Sequence, residues 1–154
     1  MLKKLELSFD DYVKIKNYCD KLNIEFISTP FDIDSVHFLD KLNVHRFKIG
    51  SGDLTNYQLL KNIALTNKPI ILSTGMSNLD EVKDAVNYLK KYTNAHITIL
   101  HCISSYPTPL KDCNLLSIKT MINELNLPIG FSDHTLSYEA AMIALLNEWQ
   151  VRQP

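Results

Sequence analysis

The feature that most constrains this chain is an alternation of short, β-branched apolar runs with amphipathic stretches of helical spacing. The runs are "IEFIS", "RFKIG", "PIILST", "ITILHC" and "PIGFS", at residues 24–28, 46–50, 69–74, 97–102 and 128–132. Between them lie "SVHFLDKL", "NYQLLKNIAL", "LDEVKDAVNYLKKY" and "LLSIKTMINEL", with "SFDDYVKIKNYCDKL" ahead of the first run and "YEAAMIALLNE" after the last. In the leading stretch Ser8 is placed as an N-cap with Asp11 positioned for a capping box, and Tyr12, Ile15, Cys19 and Leu22 repeat at helical spacing. Nearly continuous apolar runs are how strands of a parallel sheet read when both faces are covered. The run-to-run spacing, roughly 20 to 30 residues, is that of a strand-helix unit. Two architectures fit: a doubly wound open sheet, or part of a (β/α)8 barrel.

The ends of the runs separate the two. They read Ser28-Thr29-Pro30, then Lys48 to Asp53 as "KIGSGD", Ser73-Thr74-Gly75, His101-Cys102 with Ser104 and Tyr106 beyond, and Ser132-Asp133-His134. No GxGxxG or GxxxxGK[ST] follows any of them, which weakens the nucleotide-binding open sheets. In a barrel all strand ends converge on one mouth, where the active site lies; in an open sheet they spread along an edge. Polar ends on every strand therefore favour an α/β fold of the partial (β/α)8 TIM-barrel kind. A full barrel takes ~250 residues, and the 154 here hold about five of its eight strand-helix units.

Composition narrows the function. At 45% hydrophobic and 21% charged residues the chain is of ordinary globular type, with room for one core. A net charge of -1 gives no electrostatic reason for a nucleic-acid or anionic-membrane partner. No apolar run reaches the ~20 residues of a membrane span, and no signal-peptide core follows "MLKK", so a cytoplasmic location is expected. Cys19, Cys102 and Cys113 are odd in number and widely spaced, and read as free thiols rather than a disulfide framework or zinc site.

Lys48 at a strand end, beside Ser51 and the backbone of Gly50 and Gly52, is suited to an anion. Ser28, Thr29, Ser73 and Ser132 add hydroxyl donors, and together they make a cradle for a phosphate and a carboxylate on one small molecule. The bland reading of each serine is a cap on the following helix, and of Lys48 a snorkelling surface lysine. A Schiff-base nucleophile is a second functional reading for Lys48. His134 is placed to act as acid, base or metal ligand. His101 reads as a satisfied interior histidine; His37, His45 and His96 read as surface. Tyr106 sits in a loop pre-ordered by two prolines, with packing as its alternative role.

"FISTPFD", "FKIGSGDLTN", "PIILSTGMSN", "ILHCISSYPTP" and "GFSDHT" resemble, in order and spacing, the sialic acid synthase family, over about residues 5 to 145. The family makes N-acetylneuraminic, legionaminic and related acids from phosphoenolpyruvate. The resemblance implies a (β/α)8 barrel followed by an antifreeze-like domain, in a domain-swapped homodimer. It implies condensation of phosphoenolpyruvate with an N-acetylmannosamine-like open-chain aldehyde, with loss of phosphate and help from Mn2+ or Mg2+. By motif, Thr29, Lys48, Ser51, Ser73 and Ser132 resemble the phosphoenolpyruvate cradle. Asp53 falls where the family often has glutamate, facing sugar hydroxyls. Tyr106 resembles the residue beside the N-acetyl group, Ser104 a position that is asparagine in some members, and His134 one of two metal-binding histidines.

Numbered by the family, residues 1–146 carry the third to seventh strands. The first two strands, the eighth with the other metal histidine, and the antifreeze-like domain are expected to be missing. Residues 147–154, "NEWQVRQP", read as a divergent tail. The chain alone is then expected to be inactive. The alternatives are a non-catalytic remnant that binds anions or pairs with a complementary fragment, and an aldolase using Lys48.

Overall fold

A computed structural model describes residues 6–146; the expected tail, 147–154, lies outside them. The element order is α1 (Phe9–Lys21), α2 (Ile33–Lys41), β1 (Phe47–Ile49), α3 (Tyr57–Leu65), β2 (Ile70–Ser73), α4 (Leu79–Lys90), β3 (Ile97–Cys102), α5 (Leu116–Leu125), β4 (Ile129–Ser132) and α6 (Glu139–Leu146), with short 3-10 turns at Ser51–Asp53 and Leu110–Asp112. All strand pairs are parallel and the sheet order is β1-β2-β3-β4. Sequential order with no reversal is barrel winding; a doubly wound sheet reverses at a switch point. Among the described residues the fold is therefore an arc of a TIM barrel.

Four of the five expected strands form. Segment 24–28 pairs with no strand among the described residues. β1 is only three residues long, so it offers this lead segment few ladder bonds. Side chains tether it instead: Arg46 Nε lies 2.7 Å from Glu25 Oε1, and the Phe26 ring meets Tyr12 edge-on.

The sheet is also covered differently from the expectation of two buried faces. Phe47, Ile49, Ile70, Leu72, Ile97 and Ile99 are fully buried beneath residues such as Val36, Leu60, Ile63, Val86, Leu89 and Ile118 of the helices. Alternate residues Lys48, Ile71, Thr98 and Leu100 are only half-buried. Since alternate residues face opposite ways, the helices cover one face, and the second, which lines the interior of a barrel, stays partly open among the described residues.

Helix ends follow local chemistry. Ser8 and Asp11 close a capping box on α1, as do Asn78 and Glu81 on α4; Asp32 and Asn56 cap α2 and α3. With only four glycines in the chain, asparagine supplies the left-handed residues that end helices. Asn23, Asn43, Asn67 and Asn126 have φ between 49° and 58°, a region asparagine tolerates better than other side chains. No described helix is long and apolar enough to cross a membrane.

Candidate functional site

Each strand ends by delivering its inner-face residue to one rim. Because Asp32, Asn56 and Asn78 cap α2 to α4, Ser51 and Ser73 are not consumed as helix caps. Lys48 does not snorkel: its Nζ donates to Ser73 Oγ at 2.6 Å and to the Ile49 carbonyl at 3.1 Å. An ammonium has three protons, so one is left for a ligand. Burial pushes the Lys48 pKa down, and the nearby Cys102 partly offsets this. Its charge is thus poorly solvated and gains from an anionic partner.

Ser51 Oγ accepts the Gly75 N–H at 2.9 Å and lies 3.3 Å from Cys102 Sγ. Gly75 allows this convergence: a Cβ there would collide with Ser104 Oγ and lie 3.0 Å from Ser51 Oγ and 3.2 Å from Cys102 Sγ. Cys102 and Ser132 are register partners, which links this knot to the next strand end. Ser132 Oγ lies 3.2 Å from His134 Nε2, and His134 Nδ1 lies 2.8 Å from the Ile103 carbonyl. A carbonyl only accepts, so in the neutral ring Nδ1 carries the proton and Nε2 receives that of Ser132. The Tyr106 ring sits 4.3 Å from the His134 ring and is largely exposed.

The rim therefore gathers Lys48, Ser51, Ser73, Ser104, Ser132, His134 and Tyr106 from consecutive strand ends. Asp53 stands in the 3-10 turn after β1, accepting from Asn56 Nδ2 at 3.2 Å. Ser28 and Thr29 line a cavity of about 200 Å³ with Leu7, Phe9, Tyr12 and Phe38, and among the described residues the hydrogen bonds of Lys48 go to Ser73 and Ile49 rather than to them. Cys102 and Gly75 were not among the sequence candidates. Their signal was position: Cys102 stands in the strand-end phase of Ser73 and Ser132. His101 is the satisfied interior histidine expected, its Nε2 donating to the Cys113 carbonyl at 2.8 Å and burial pushing its pKa down.

Among the described residues no three His, Cys, Asp or Glu side chains converge to hold a metal ion. Nε2 of His134 is a suitable donor, but one imidazole does not make a divalent-cation site. The described residues alone do not fit the metal that the resemblance implies.

Sequentially ordered parallel strands with a half-buried lysine and hydroxyls at one rim define a segment of a (β/α)8 barrel with polar residues at its mouth. The chain belongs to the NeuB family, whose pattern it matches over residues 1–147. It is 50% identical over 145 residues to protein MJ1065 of Methanocaldococcus jannaschii, covering 94% of this chain and 43% of that protein. It is 42% identical over 147 residues to the N,N'-diacetyllegionaminic acid synthase of Campylobacter jejuni, covering 94% of this chain and 44% of the synthase. The structure resembles an N-acetylneuraminic acid synthetase from Leptospira borgpetersenii, solved in complex with citrate, with a TM-score of 0.91 and 34% identity over 97% of this chain and 52% of that one. The chain thus spans less than half the length of the curated relatives it matches.

Proposed function

We propose that this chain forms the phosphoenolpyruvate-binding side of a synthase that condenses phosphoenolpyruvate with an N-acetylated aminosugar aldehyde to a sialic-acid-type nonulosonic acid. The observation that carries the reading is Lys48, half-buried at a strand end and 2.6 Å from Ser73 Oγ, with a proton left over. The names of its relatives, legionaminic and neuraminic acid synthases, support the same chemistry.

In this reading the alkene carbon of phosphoenolpyruvate bonds to the aldehyde carbon, whose oxygen takes a proton. Water adds to the resulting cationic carbon and loses a proton; the carbon–oxygen bond to phosphate then breaks as the new hydroxyl passes its proton to the departing phosphate, leaving the ketone. The chain's residues act by holding charge. Lys48 neutralises the anion, Ser51 and Ser73 donate hydroxyl protons to its oxygens, and Ser132 joins them when its proton turns from His134. Thr29, which lines the neighbouring cavity with Ser28, belongs to the same set in this reading. Asp53, Ser104 and Tyr106 take the sugar side. Any divalent cation enters with ligands beyond the described residues, and the family homodimer is part of the same proposal. Since the chain spans less than half the length of its curated relatives, the activity proposed for it alone is anion binding.

Calorimetric titration with phosphoenolpyruvate tests this. Saturable binding that is lost in Lys48→Gln supports it; no binding by the parent chain, or equal binding by the variant, sinks it. A second reading rests on the lowered Lys48 pKa: a Schiff base with a keto acid. Borohydride trapping with pyruvate would leave a mass adduct on Lys48, and an unmodified lysine would exclude it.

A further inference from the structure

Ser51 is a rim hydroxyl whose hydrogen-bond polarity is not set by Lys48 or His134. Its oxygen has two lone pairs and one proton. The Gly75 N–H fills one lone pair at 2.9 Å. Cys102 Sγ, at 3.3 Å, is the other polar side-chain atom in hydrogen-bonding reach, and either partner can donate. If Ser51 donates to sulfur, its remaining lone pair faces the open rim and repels an anion. If the thiol donates, both lone pairs are filled and the hydroxyl proton is free.

We infer that Cys102 is a positioning residue of the anion cradle, its S–H donating to Ser51 Oγ so that the Ser51 hydroxyl donates to the bound anion. This rests on reading the rim as an anion site. Cys102 is only 5% exposed, so it is shielded from solvent that could replace the thiol in this role. Lys48 does not compete for the position, because its identified hydrogen bonds go to Ser73 and Ile49. Gly75 holds the geometry from a third side, since any Cβ there would press on both Ser51 Oγ and Cys102 Sγ. The arrangement is a relay of donors, Cys102 to Ser51 to anion, in which each bond polarises the next.

The test uses inorganic phosphate as the probe. Infrared spectra of the parent chain and of Ser51→Ala, each saturated with phosphate, give a difference band for the Cys102 S–H stretch. The inference expects that band at lower wavenumber in the parent. By titration, Cys102→Ala binds phosphate about two- to ten-fold more weakly, as for one net hydrogen bond, and Cys102→Ser, which keeps a donor, recovers part of the loss. A parent chain that binds no phosphate overturns the anion reading and this inference with it. Phosphate binding with an unshifted S–H band, or with Cys102→Ala equal to the parent, overturns the inference alone. Should Cys102→Ala fail to fold, the infrared comparison, which keeps the cysteine, still decides.

Discussion

Lys48 Nζ donates to Ser73 Oγ at 2.6 Å across the β1–β2 ladder. Lys48 faces Ile71 in the register, and Ser73 is the next residue of β2 on the same face. The pair exists only in this register, because a slip of one residue would send every side chain of one strand to the opposite face. The cation is thus placed by the sheet itself.

Ser73→Ala removes the acceptor and leaves Lys48 with the Ile49 carbonyl. Hydrogen bonds to charged groups contribute about 1.5–3 kcal/mol, so phosphate affinity is expected to fall by roughly ten-fold or more. Titration calorimetry of the variant measures this, and unchanged affinity would remove Ser73 from the cradle.

Lys48 also sets a pH dependence. Its pKa in the fold lies below the ordinary 10.5 because burial penalises the ammonium. Between the depressed value and 10.5 the unfolded chain binds more protons, so the fold gains stability as pH rises through that window. Below it both states are charged and the desolvation cost is felt in full. Urea unfolding of the parent against Lys48→Met should show a difference in favour of the parent that grows with pH toward 10.5. Phosphate affinity should move the opposite way, falling as the lysine loses its charge.

Gly75→Ala places a Cβ against Ser104, Ser51 and Cys102. Overpacking of this kind costs about 1–3 kcal/mol, and here it also pushes apart three side chains of the rim. The expected result is a lower urea midpoint together with weakened phosphate binding; a variant with parental stability and affinity would show that the rim yields freely.

Asn43 ends α2 at φ 58°. Replacing it with alanine is expected to cost about 1 kcal/mol, the penalty of a left-handed residue without a short polar side chain. Asn43→Gly should stay within about 0.5 kcal/mol of the parent, because glycine adopts that conformation freely. Thermal unfolding of the two variants side by side gives the comparison.

Leu60 is fully buried in the core between sheet and helices. Leu60→Ala should cost about 2–5 kcal/mol in urea unfolding, the range for deleting a core leucine. A loss under 1 kcal/mol would mean that the core collapses into the space.

Much of this was legible in the chain. The capping box at Ser8 and Asp11, the helices after each strand, and the interior role of His101 follow from spacing and chemistry within a few residues. Polar residues at every strand end marked the rim, since the C-terminal ends of a parallel barrel's strands converge on one mouth. The lead segment 24–28 reads as a strand by composition yet pairs with none among the described residues, because ladder bonds depend on a neighbour that composition does not reveal. Thr29 carries a site motif and lines the cavity beside α1 and α2, a placement that the motif alone does not reveal.

Most of the strand-helix alternation, the helix ends and the family were readable along the chain, because those depend on periodicity, capping and residue identity. The folded arrangement was needed to see that Lys48 bonds to Ser73 rather than to solvent, that Ser51 meets Gly75 and Cys102, and that Ser132 is engaged with His134. The bonds from Lys48 to Ser73 and from Ser51 to Gly75 and Cys102 join residues more than 20 positions apart, brought within reach by parallel pairing of strands whose register is set by burial of one apolar face. Ser132 and His134 are close in sequence, yet their contact is oriented by the Ile103 carbonyl at the end of the neighbouring strand.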